Sequence, residues 1–214
     1  MLSSSPRLVK AGLVVADPAN GQVIRIIPLQ YNPTKLSRSF ETKALGDQAS
    51  RSEALRLTGP PIETISLEAV IDATDALERG DALAASSGIA SHLSALELLT
   101  SPDSAQLLEA DRQAQRGVLE ILPMQQPLTL LIWGKNRVVP VRIGDLSVTE
   151  EAFDPALNPI RATVSLSLRV LTVDDLGFDQ RGGQIFLNHL KVKEQLARRL
   201  PTAGLETLGI GALP

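Results

Sequence analysis

The chain has 214 residues, 43% of them apolar and 21% charged, with a net charge of −3, no cysteine and 3% aromatic residues. That length suits one domain with extensions or two small ones and buries a sizeable core without disulfides or metal. The missing cysteines exclude disulfide frameworks, thiolate nucleophiles and Cys-zinc sites; the slight acidic excess speaks against a nucleic-acid binder. The longest apolar stretches, Ala11–Ala16 and Leu128–Trp133, run six residues, too short for a membrane helix of about twenty. Arg7 and Lys10 are followed by an apolar run that Asp17-Pro18 cuts short, so no secretory h-region is expected.

The first element in chain order is a β-hairpin. Residues 8–15 and Val23–Leu29 read as extended runs, and Asp17-Pro18-Ala19-Asn20-Gly21 supplies a tight reversal. Both runs carry apolar residues on two faces, which predicts one face in a core and the other against something else. Gln30-Tyr31-Asn32-Pro33 is an extended corner, because Pro33 keeps Asn32 out of the helical region. Leu36–Phe40 reads as a short strand. Residues 43–58 are mostly polar or small and read as a mobile loop or an exposed hairpin arm that orders on a neighbour. Ile65, Leu67, Ala69 and Ile71 alternate with Thr64, Ser66, Glu68 and Val70, the period of a half-buried strand.

Residues 76–87 read as a link rich in Ala, Ser and Gly, with Ser86 or Ser87 placed to cap the next helix. Ile89, Leu93, Leu96 and Thr100 fall on one helical face. Ser101-Pro102 offers an N-cap and a first-turn proline for a second helix ending at Gly117. Leu128–Trp133 reads as a buried strand paired with Val138–Ile143 across Gly134–Arg137; Pro140 suggests an edge or a bulge. Leu146–Thr149 is a further short strand. From Arg161 to Val170 the alternation is strict, with Ala162, Val164, Leu166, Leu168 and Val170 on one face. A last helix fits residues 184–200 after Gly182-Gly183. The sum is a mainly β, α+β fold: an antiparallel sandwich or partly closed barrel of seven or eight strands, with one or two central helices and a C-terminal helix packed across an opening.

Chemistry has few candidates. His92 and His189 fall in separate helices without metal-ligand spacing and read as half-buried or solvated helix residues. Asp72/Asp75, Glu150/Glu151 and Asp174/Asp175 sit at the ends of apolar runs, where charges reach water. There is no G-x-S-x-G turn. Gly209-Ile210-Gly211 does not follow a strand, and Gly182-Gly183 reads as a flexible start to a helix rather than an anion cradle. No catalytic residue, metal ligand or cofactor site is assigned.

Several stretches, taken in order, resemble one family. Gln30-Tyr31-Asn32-Pro33 is similar to its corner after the first hairpin. Ile71-Asp72-Ala73-Thr74-Asp75 is similar to the end of a central strand. Pro127-Leu128 through Trp133-Gly134 resembles a strand ending in W-G, and Phe153 followed by Pro159-Ile160-Arg161-Ala162 resembles the approach to the last strand. The ordered set covers about residues 5–175. It resembles the tube-type protein of contractile injection systems, which are phage-tail-like particles, and within that family the N-terminal domain of LysM-containing baseplate proteins.

The resemblance implies a tail-tube-like β domain over 1–175, with a helical insertion at about 86–117, and a helical extension over 176–214. It implies a non-enzymatic virion component that forms a ring, a homohexamer, and joins the inner tube to the central spike and baseplate. Its implied partners are further copies of itself, the inner-tube protein, the spike or hub protein and baseplate or sheath components, with neither nucleic acid nor membrane. It would be made in the cytoplasm and built into the particle. Residues 176–214 are too short and too helical for a LysM module, and Asp154–Asn158 replaces the family's glycine turn. A tube terminator, a sheath-proximal adaptor, a baseplate wedge and a hydrolase stand as alternatives.

Overall fold

The computed structural model of the chain describes residues 9–44, 55–117 and 123–213. In order these form strands β1 (Gly12–Ala16), β2 (Val23–Pro28), β3 (Leu36–Glu41) and β4 (Ile62–Asp72), then helices α1 (Thr74–Glu78), α2 (Ala82–Ser87), α3 (Ala90–Glu97) and α4 (Ser104–Gln115). Strands β5 (Leu128–Ile132), β6 (Val138–Phe153) and β7 (Pro159–Val170) follow, then α5 (Val173–Leu176) and α6 (Arg181–Ala197). The seven strands make one antiparallel sheet in the order β2-β1-β5-β6-β7-β4-β3. The mainly β, α+β class read from the sequence is the class observed.

The sheet folds over on itself. Leu13 of β1 and Ile27 of β2 share one core with Ile65 and Leu67 of β4 and Val164 and Leu166 of β7, although β2 and β4 stand five places apart in the strand order. Side-chain alternation explains the enclosure. Ala162, Val164, Leu166, Leu168 and Val170 are all buried along β7, and Ile65, Leu67, Ala69 and Ile71 along β4, as their period of two requires. The opposite face of these strands carries Ser37, Ser66, Glu68, Ser165 and Ser167 and forms an open polar groove.

Helices close the two openings. At one, Ala84, Ile89, Leu93 and Leu96 of α2 and α3 enter the core. At the other, α6 lies across the fold. A Cβ on Gly21 of the β1–β2 turn would meet Arg181 at its start, Phe186 joins the core, and Lys193 reaches Glu63 at the start of β4.

Several expectations are corrected. Residues 76–87 are not a plain link: α1 and α2 form there, because alanine favours helix and Asp81 caps α2 by accepting from the Ala84 N–H at 2.9 Å. Ser86 and Ser87 instead donate back to the Leu83 carbonyl within α2. Asp103, not Ser101, caps α4. Leu146–Thr149 is not a separate strand but part of β6, which runs 16 residues with a register shift between Ile143 and Asp145. That bulge falls at Gly144, which the sequence offers as a break.

Pro140 lies in an interior strand. Its carbonyl accepts from the Leu171 N–H, just past the end of β7, so its nitrogen faces the side where the ladder has stopped. Gly182 and Gly183 lie inside the first turn of α6 and are buried there. A Cβ on Gly183 would sit 1.8 Å from the Gly177 carbonyl oxygen, so close packing explains that glycine. Of the arm expected at 43–58, the described stems pair: Ala44 bridges Leu57, and the Thr58 N–H donates to the Lys43 carbonyl at 2.8 Å. The rest of the arm lies outside the described residues.

Candidate assembly surface

The first feature is a seam that joins the sheet's two halves. The Gln30 side chain takes both backbone groups of Asp72: its Nε2 donates to the carbonyl at 2.5 Å and its Oε1 accepts the N–H at 2.8 Å. One amide thus imitates a rung of a strand ladder where no strand pairs. Asn32 does likewise ahead of β1, accepting from the Ala11 N–H and donating to the Val9 carbonyl, both at 2.9 Å. The Tyr31 hydroxyl stands 3.5 Å from the Asp75 carboxylate, and Pro33 follows on the same corner.

Asp72 accepts from the Thr74 N–H at 2.7 Å and lies 3.7 Å from Arg161, which also reaches Glu151 at 3.6 Å. Hydrogen bonds from Thr74, helped by the Arg161 charge, hold the Asp72 carboxyl below its usual range. Pro159 accepts from the Ile89 N–H at 2.8 Å. Ala162 is fully buried opposite Ile71, and Phe153 pairs with Pro159 but stays half exposed. Ten of the motif residues thus gather at this end: Gln30, Tyr31, Asn32, Pro33, Asp72, Thr74, Phe153, Pro159, Arg161 and Ala162. Trp133 and Gly134 stand apart on the β5–β6 turn, closed by the Trp133 N–H to the Arg137 carbonyl at 2.8 Å, with Gly134 at φ +68°.

The second feature is a charge cluster under α6. Glu63, only 4% exposed, is in phase with the core residues of β4. It pairs with Arg38 at 2.7 Å and Lys193 at 3.0 Å. Both cations also lie over the Phe40 ring, at 4.7 and 5.4 Å from its centre. Burial opposes the Glu63 charge, but hydrogen bonds from Arg38 and Lys193 outweigh it and keep the carboxyl below its usual range. His189 is 6% exposed, and among the described residues neither ring nitrogen has a hydrogen-bond partner. Burial, with the Lys193 charge next, lowers its pKa to about 4. Arg137 is also lowered, by burial and by Arg38.

The expectation that His189 is half buried or solvated is therefore corrected: the imidazole is a neutral packing group. Glu63 escaped sequence reading, though extending the β4 alternation back from Ile65 places it on the core face and demands a cation.

The third feature is apolar and exposed. On the edge strand β2, Val23, Ile24 and Ile26 are 53%, 60% and 64% exposed, while Ile27 enters the core. The free face of β2 meets α3 in a groove lined by Ile26, Pro28, Ala95 and Leu98. The groove continues past His92 into a pocket of about 250 Å³ beside Leu83 and Ile89. The two-faced apolar character read for β1 and β2 is thus resolved differently in each. Residues of β1 are buried on both faces, while β2 buries only Ile27 and leaves its other residues exposed.

The carboxylate pairs serve the scaffold. Asp174 pairs with Lys43 and Asp175 with Arg169, each at 2.7 Å, and Asp175 completes a capping box with Thr172. Among the described residues no cluster of three or more His, Asp or Glu is placed to hold a metal, and no helix is long and apolar enough to cross a membrane.

No protein-family model matches the chain, and no match is found among curated proteins. Among solved structures, the chain aligns with the tail of an empty gene transfer agent particle computed with helical refinement under C6 symmetry. That alignment has 14% identity, covers 75% of this chain and 90% of that one, and has a TM-score of 0.28. It also aligns with the virion of a native gene transfer agent particle, at 13% identity over 79% of this chain and 95% of that one, with a TM-score of 0.27. At TM-scores this low, neither alignment carries weight for fold or function.

Proposed function

We propose that the chain is a structural subunit of a phage-tail-like particle. Copies of it close into a ring that joins the inner tube to the central spike and baseplate, and the ring templates tube assembly. The observation that carries this reading is the exposed apolar surface of β2, with Ile24 and Ile26 in water on a strand whose outer edge has no partner among the described residues. An exposed apolar edge strand is an aggregation hazard unless a partner covers it. The ordered motifs from Gln30 to Ala162 support the tube-type identification, and their role under this reading is to hold the seam that keeps the folded-over sheet in one shape. Residues 1–175 are then the tube-like unit, with α6 and the rest of 176–214 as an extension that closes it. A heterologous interface closing on itself gives a ring.

Native mass spectrometry of the purified chain, alone and with inner-tube and spike proteins of a phage-tail-like particle, tests the proposal. A closed ring of this chain, or a stoichiometric complex with tube or spike, is the expected result. A chain that stays monomeric at tens of micromolar and captures neither partner overturns it.

A further inference from the structure

Residues 201–213 follow α6, and each of them is exposed. They hold one 3-10 turn, Leu205–Leu208, closed by Gly209 in the left-handed region at φ +76°. The Ile210 N–H returns to the Leu205 carbonyl at 3.3 Å, so Leu205 and Ile210 partly shield each other. Leu208 and Leu213 are 76% and 74% exposed. The segment is thus a small preformed knob with apolar side chains pointing into water. Its only charged residue is Glu206.

The β2–α3 groove is complementary in shape class and in sign. Its walls are Ile26, Pro28, Ala95 and Leu98, and its rim carries Arg25 and His92, with Lys10 beside the adjoining pocket. Among the described residues neither Arg25 nor Lys10 has an ion pair, whereas the nearby Asp72 is engaged by Arg161 and Asp81 by the α2 N-terminus.

Within one subunit knob and groove do not meet, since every residue of the knob is exposed. The knob leaves α6 a few residues beyond Lys193, which is anchored to Glu63 at the start of β4. The groove adjoins Asp72 at the end of β4. Nine residues of strand separate these points, about 30 Å at 3.3 Å per residue. Along its whole length the knob is exposed and leaves the groove of its own chain empty, and a neighbouring copy can present its groove to it.

From this geometry we infer that the Leu205–Leu213 knob of one copy seats in the β2–α3 groove of the next. Leu208 and Leu213 cover Ile26 and Leu98, and Glu206 meets Arg25. The contact is heterologous, the knob of one subunit against the groove of its neighbour. It rests on the reading of the chain as a self-assembling subunit and adds which surfaces meet.

Two variants separate the halves of the contact. Deleting residues 201–214 leaves only a socket, and Ile26→Asp leaves only a knob; Ile26 is exposed, so the substitution leaves the core alone. Circular dichroism and thermal melts matching the unaltered chain establish that both fold. Sedimentation of each variant alone and of an equimolar mixture is then measured, with titration of a synthetic peptide of residues 200–213 into the deletion variant. The expected result is that neither variant self-associates while the mixture forms a 1:1 complex. The peptide should bind the deletion variant at least about tenfold more tightly than it binds the same deletion carrying Ile26→Asp. A mixture that forms no complex, or a deletion variant that assembles as well as the unaltered chain, overturns the inference. An unaltered chain that stays monomeric counts separately, against the ring reading.

Discussion

His189 makes the stability of this fold dependent on mild acid. The imidazole is buried with both nitrogens unpartnered, and Lys193, Arg38 and Arg137 face it against the single carboxylate of Glu63. Protonation would add a further cation to a cluster already in cationic excess. Its pKa therefore falls from 6.5 to about 4 on folding. The unfolded chain takes up a proton as pH drops through 6.5 while the folded chain does not, so stability is complete above pH 6.5 and declines as pH falls towards 4.

At about 1.4 kcal/mol for each tenfold change in proton affinity, the full effect is about 3 kcal/mol. Asp72, Glu63 and Asp154 also hold lowered pKa values, and their contribution starts to be lost as pH falls into the ordinary carboxylate range, below about pH 5. The interval from about pH 6.5 to 5 therefore reports the histidine. Urea unfolding midpoints measured across pH 4.5–7.5 for the unaltered chain and His189→Leu provide the assay. Leucine forfeits no hydrogen bond there, so the variant should fold at pH 7 and show a flat profile down to about pH 5, over which the unaltered chain slopes. Parallel profiles for the two proteins would refute the reasoning.

Other substitutions test other parts of the fold. Glu63→Ala strands Arg38 and Lys193, but both cations keep partial access to water. The cost should therefore be about 2 kcal/mol by chemical denaturation, below the usual figure for a fully buried pair. Gln30→Ala leaves the Asp72 N–H and carbonyl without partners at the seam, and a loss of about 2–4 kcal/mol is expected. Hydrogen exchange at the ends of β2 and β4 should rise first. Gly88→Ala puts a methyl 2.0 Å from the Pro159 carbonyl oxygen at a residue with φ +55°. It must break the Ile89–Pro159 hydrogen bond, so at least about 3 kcal/mol should be lost, seen as a lower thermal midpoint.

Local periodicity exposed much of the fold, because β4 and β7 each bury one face and so repeat every second residue. The long strand β6 was harder to read, since Gly144 and the polar residues beyond it resemble a loop when the partners that pair with them are unknown. Helices α1 and α2 were hidden in an alanine-rich stretch whose cap, Asp81, lies in the middle of what reads as a link. The seam was half legible. Gln30-Tyr31-Asn32-Pro33 and Ile71–Asp75 stand out as motifs, but that Gln30 grips Asp72 depends on the sheet folding over, which no local pattern encodes. Glu63 and His189 meet only because α6 crosses the far opening, so their coupling is a tertiary fact. The uncovered face of β2 was anticipated as apolar character on both faces; which strand would leave it in water was not.

The crossing of α6 also sets an order of events during synthesis. Lys193 closes on Glu63 from 130 positions downstream, and Lys43 meets Asp174 from 131 positions away. Contacts this distant form late and slow the search for the native state. Until residue 193 has cleared the ribosome, the carboxylate of Glu63 lacks one of its two cations and that opening of the folded-over sheet stays uncovered. A nascent chain therefore cannot finish its core before α6 emerges, and its half-made sheet stays exposed to neighbours in the meantime.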